Sequence, residues 1–165
     1  MGELPALLKA IEATMLATAV RESEWLFPVI ETLHVFALVT VVGTIGRIDL
    51  RLAGLLDRGR GAAALAHELL PWTWGAFGLA VTTGLLMFAS AASKYAANPY
   101  FEGKLVLLLL AGVNMAVFQL GAGRHLQQWP DEAAPPWRAR LAGLVSLALW
   151  IAVVAAGRWI GYTMH

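Results

Sequence analysis

The 165-residue chain contains no cysteine, which removes disulfides, thiolate nucleophiles, all-cysteine iron–sulfur centres and soft thiolate metal sites from consideration. Charge is almost as scarce. Only 14% of residues are charged and the formal net charge is +1, so no concentrated basic face exists for a nucleic-acid partner. The common catalytic signatures are missing as well: there is no Gly-rich phosphate loop, no GxSxG elbow and no HExxH metal site. Hydrolysis and phosphoryl transfer therefore have no support, and no residue is assigned a catalytic role. The first 24 residues lack the basic start of a signal peptide, and Lys9, Glu12 and Arg21 interrupt any apolar core.

Apolar surface is abundant: 59% of residues are hydrophobic and the mean hydropathy is +0.66. The length suits four spans of about 20 residues with short connections and leaves no room for a second soluble domain. Four apolar segments are present, roughly residues 25–46, 72–92, 104–123 and 139–158. Trp25, Trp72, Trp74, Tyr95, Tyr100, Trp129, Trp137, Trp159 and Tyr162 border them, as expected for rings at headgroup depth. Pro71 is expected at a helix start, preceded by a separate short helix carrying His67 and Glu68. Trp150 falls inside the fourth span, where it packs, faces lipid or touches a cofactor. The expected fold is all-α: an integral membrane four-helix bundle over residues 25–165, preceded by an amphipathic interfacial helix over residues 1–24, in which Leu4, Leu7, Leu8, Ile11 and Met15 recur at helical spacing.

Seven Lys and Arg side chains fall in the first and third connections against five on the other side. This bias places both termini on the non-cytoplasmic side. The stretch "GRIDLRLAGL", residues 46–55, reads as a membrane-skimming or helix-end segment, with Arg47 and Arg51 reaching lipid phosphates and Asp49 moderating the charge.

Polar residues inside the spans define the candidate site. Glu31 and His34 are three residues apart and share a helical face with Leu38 and Val42. Lipid exposure of that face is costly, so both are expected to point into the bundle. Counted from Trp25 and Lys104, His34 and Asn114 lie about 13 Å and about 15 Å into parallel spans, at matched depth. Thr82 and Thr83 supply the second span and Ser146 the fourth. The candidate ligand-binding residues are His34, Glu31, Asn114 and Thr83, with His34 also the candidate metal ligand. A structural alternative makes the same groups polar glue, with Glu31 paired to His34 or Lys104 and Asn114 bonded across helices. Ala76, Ala80 and Gly84, Gly112 and Ala116, and Ala142 and Ser146 form small-residue repeats that let spans approach closely.

The stretches "ESEWLFPVIETLHVFAL", "GTIGRIDLRLAGL", "PWTWGAFGLAVTTGLLMF" and "NPYFEGKLVLLLLAGVNMAVF" resemble a family of small uncharacterised bacterial membrane proteins with a domain of unknown function. More distantly the chain is similar to four-helix membrane modules associated with copper resistance and with b-type haem. The resemblance implies a compact helical domain in the bacterial inner membrane and carries no catalytic residues. A haem b with two axial histidines meets a shortage, because His34 is the only histidine within a span while His67, His125 and His165 fall near surfaces. Met87 and Met115 are packing residues before they are copper ligands. The leading expectation is a small membrane redox or cofactor-binding module centred near His34. The alternatives are a non-enzymatic scaffold or accessory subunit of a larger complex, and a proton or ion path. Partners are membrane lipids and either a larger membrane complex or further copies of the chain, with no nucleic acid.

Overall fold

A computed structural model describes residues 3–56, 59–128 and 134–164. Among these the chain is entirely helical: α1 (Glu3–Glu12), α2 (Met15–Glu22), α3 (Leu26–Leu52), α4 (Ala62–Ser90), α5 (Ala92–Ala96), α6 (Pro99–Leu120), a 3₁₀ segment (Ala122–Gln128) and α7 (Trp137–Thr163). The four long helices α3, α4, α6 and α7 are long and apolar enough to cross a membrane. They run alternately, so the start of α3 and the end of α7 lie at one end of the bundle, here called proximal, and the ends of α3 and α6 lie at the other, the distal end.

The spans are longer than their apolar segments, and the reason differs at each end. α3 continues to Leu52, so "GRIDLRL" is the last two turns of the first span and not a segment skimming the lipid. Asp49 and Arg51 are buried there. Arg51 Nε donates to the Arg60 carbonyl at 2.8 Å, and the Asp49 carboxylate faces Ser146 of α7. Gly54, at φ 78°, then ends the helix in a left-handed turn that favours glycine. α4 starts at Ala62 and runs through Pro71, which corrects the expectation of a separate short helix before Trp72. Pro71 removes one backbone donor, and the turn that loses it is the exposed one bearing His67 and Glu68. α6 begins earlier than its apolar run because Pro99 occupies the first turn and the Asn98 side chain accepts from the Tyr100 N–H at 2.9 Å.

The amino-terminal segment is two helices rather than one, divided where the Thr14 hydroxyl accepts from the Ala17 N–H at 3.3 Å and caps α2. They dock over the proximal ends of the spans. Ala17 and Val20 are buried, Arg21 reaches the carbonyls of Glu12 and Ser90, and Glu12 accepts from the Ser93 N–H at 2.7 Å. That backbone hydrogen bond holds the Glu12 carboxyl below its ordinary range, with Arg21 and Lys9 adding to it.

The core has two layers. Val41, Trp150 and Val153 are buried at mid-bundle, with Val42, Ile45, Ala76, Phe77, Leu107 and Leu108 around them, so all four spans meet on Trp150. Trp150 is therefore a packing residue. Leu52, Ala62 and Ala139 form the distal layer. The α3–α4, α3–α7 and α6–α7 pairs pack closely, whereas α4 and α6 nowhere bring their Cα atoms within 8 Å among the described residues.

Candidate functional site

His34 is eight residues into α3 and half-buried. Its Nδ1 lies 2.9 Å from the Thr83 hydroxyl of α4. The direction of this bond follows from what Thr83 does with its one proton. Thr83 Oγ1 also lies 2.7 Å from the Leu79 carbonyl of its own helix, with Ala80 O at 3.2 Å, and with its proton turned to that carbonyl it accepts from the ring. In that arrangement Nδ1 carries the hydrogen and Nε2 the lone pair, and the Ala80 carbonyl also faces the ring.

Two glycines give the site its room. A Cβ at Gly84 would stand 3.2 Å from His34 Cε1, so the imidazole lies on the bare backbone of α4. A Cβ at Gly157 would stand 3.5 Å from the Lys104 Nζ, so the ammonium extends sideways across α7. Lys104 acts electrostatically on His34 from α6, and it makes no hydrogen bond or ion pair with another described residue. Each of the four spans thus contributes: His34 from α3, Thr83 and Gly84 from α4, Lys104 from α6 and Gly157 from α7. Proximal to this level, the Phe88 and Phe101 rings stack at 5.4 Å and Tyr95 of α5 tilts against both. Burial pushes the Tyr95 phenol up, and the nearby Glu31 carboxylate adds to the shift.

Of the residues singled out in the sequence, His34 and Thr83 come together and the other two stand apart. Glu31 is exposed and bonds neither His34 nor Lys104. It lies one turn nearer the helix start, where a carboxylate reaches the water interface. Asn114 donates to the Ala142 carbonyl of α7 at 3.0 Å. It sits 15 residues into α6, hence about 23 Å deep against about 12 Å for His34, because α6 starts at Pro99 and not at Lys104. Thr82 is exposed and bonds its own Gly78 carbonyl. Ser146 belongs to the distal Asp49 contact. Sequence reasoning treated Gly84 as a helix-contact residue and Lys104 as a pairing partner for Glu31. The spacing that relates them to the site is Gly84 beside Thr83, and Phe101 three residues before Lys104 on one face.

Among the described residues no group of three or more His, Asp or Glu side chains is placed to hold a metal ion. His67 and His125 are exposed and belong to the distal half, and His165 lies outside the described residues. A haem with two axial histidines drawn from the described part of one chain does not fit this arrangement.

No curated protein and no solved structure matches the chain. The profile of a family of unknown function, DUF6644, matches residues 26–163, from the first residue of α3 to the last of α7, and the chain belongs to that family.

Proposed function

We propose that the chain is a small integral membrane module that holds a redox or other cofactor-type ligand through His34. One observation carries this reading: the Thr83 hydroxyl stands 2.7 Å from the Leu79 carbonyl and 2.9 Å from His34 Nδ1, and with its proton on the carbonyl it fixes the imidazole with Nε2 as an open acceptor inside the bundle. A polar edge without a partner at that depth is costly in hydrocarbon, and a ligand relieves the cost. Of the haem arrangements, only a five-coordinate one, or one taking its second ligand from another copy, agrees with the histidines described.

A scaffold role is the second reading, and the bonds Thr73 to Thr44 at 2.8 Å and Asn114 to Ala142 favour it, since they fasten helix pairs without involving His34. The two readings separate by composition. The protein purified in mild detergent is expected to carry a stoichiometric non-protein species, seen in its absorption spectrum or in the mass of its extract. A preparation free of pigment, metal and organic ligand at full occupancy of the fold would favour the scaffold.

We further place the chain in the bacterial inner membrane with the proximal end non-cytoplasmic. The seven-to-five basic bias toward the distal side supports this. The exposed Leu4, Leu7, Met15 and Leu16 suit α1 and α2 to the interface, and α6, with no buried residue, is open to lipid or to a neighbouring subunit. Single cysteines at positions 60 and 97 are expected to label from opposite sides, position 60 from the cytoplasm; labelling of both from one side would remove this topology.

A further inference from the structure

The rings of Phe88, Phe101 and Tyr95 and the Val41–Trp150–Val153 layer bound a level of the bundle that contains His34 of α3, Thr83 of α4 and Lys104 of α6, with the bare Gly157 of α7. At this level α4 and α6 are joined by no close backbone contact, and both His34 and Lys104 remain partly accessible. The two side chains make opposite demands on a ligand. His34 Nε2 is an acceptor and requires an O–H or N–H. The Lys104 ammonium is a donor without a protein acceptor and requires an oxygen. A carboxylate satisfies Lys104 but turns its lone pairs against Nε2. A haem iron takes Nε2 and leaves Lys104 unanswered. A ring carrying one oxygen as hydroxyl and another as acceptor answers both, and Phe88 and Phe101 offer it an apolar, aromatic wall.

We infer that His34 and Lys104 form the headgroup site of a lipid-soluble quinone or quinol, which enters from the bilayer through the gap between α4 and α6. The inference rests on the His34-centred reading above and names its ligand class. Lys104 donates to a ring oxygen, and His34 accepts from the hydroxyl of the quinol while Thr83 holds the far side of the imidazole. The isoprenoid tail stays in lipid along the open side. Gly84 of α4 and Gly157 of α7 let the imidazole and the ammonium lie close to bare backbone, so that both can turn toward the ring.

The test is titration of the full chain in lipid nanodiscs with a decyl-substituted benzoquinol and its quinone, followed by quenching of tryptophan fluorescence. Saturable one-to-one binding is expected. Lys104→Met should weaken it roughly tenfold, the loss of one charge-assisted hydrogen bond. Lys104→Gln, which keeps a donor of similar reach, should recover part of it, and Lys94→Met on the proximal surface should change nothing. Thermal unfolding of each variant reports whether the bundle is intact, and Lys104→Gln carries the test if Lys104→Met fails to fold. Non-saturable quenching, equal in wild type and both Lys104 variants, overturns the inference. So does displacement of the quinol by an anionic phospholipid at the same site, which would make Lys104 a phosphate contact. If a stoichiometric pigment or metal is lost in His34→Ala while quinol binding is absent, the quinone assignment falls and the His34-centred module stands. If neither is found, both fall.

Discussion

Replacing His34 by alanine is expected to strip the purified protein of its bound ligand while leaving the helical bundle folded. On the proposed reading the imidazole meets the ligand through Nε2 while Thr83 holds Nδ1, so its removal deletes the contact and the group that aims it. The fold loses little. Thr83 keeps its bond to the Leu79 carbonyl, so no donor is orphaned, and an interhelical hydrogen bond in a membrane is worth about 0.6 kcal/mol on average. A scaffold in which His34 only fastens α3 to α4 would show the reverse: unchanged composition and a lower unfolding temperature. Absorption, extract mass and thermal unfolding on the same preparations separate the two.

The largest effect on stability is expected from a single methyl group at Gly143. A Cβ there would lie 2.7 Å from the Asp49 carbonyl oxygen, 3.1 Å from Leu52 Cβ and 3.3 Å from the Ala53 nitrogen. Two of these atoms are backbone, so no rotamer change relieves the contact, and α3 and α7 must separate. Overpacking of this kind costs about 1–3 kcal/mol. The displacement acts on the distal contact between Asp49 and Ser146, where Asp49 Oδ2 has no hydrogen-bond partner among the described residues, so the cost should lie toward the upper end. Gly143→Ala is expected to lower the unfolding temperature by several degrees, whereas Gly112→Ala, with nothing within 4 Å of the added carbon, should leave it unchanged or raise it slightly. Equal stability of the two variants would contradict the packing described.

The four spans were legible in the sequence because uninterrupted apolar length is a direct consequence of bilayer thickness. Their ends were less so. The charged last turns of α3 read as a surface segment because the burial of Asp49 and Arg51 depends on α7 and on the loop around Arg60, neither of which is a local property. Pro71 read as a helix start, yet α4 tolerates it where the weakened turn is exposed. At the candidate site His34 stood out because an imidazole in an apolar run is expensive, and Thr83 followed by depth. Asn114 did not belong, because depth was counted from Lys104 and the Asn98–Pro99 start of α6 shifts it by more than a turn. Glu31 shares a helical face with His34 but lies close enough to the interface to reach water. Gly143 carried no signal of its own among many glycines; only the facing backbone of α3 distinguishes it.

The central claim is that Thr83 fixes the His34 ring with its Nε2 lone pair directed to a ligand, and the most direct measurement is the ¹⁵N spectrum of histidine-labelled protein in lipid. The chain has four histidines, and the His34→Ala variant assigns the resonance pair. The account predicts a single neutral tautomer, Nδ1 protonated and Nε2 not, with the Nε2 resonance moving when ligand is added and the Nδ1 resonance staying near its place. An Nε2-protonated ring, or the averaged signal of an imidazole exchanging freely between tautomers and indifferent to added ligand, would contradict it.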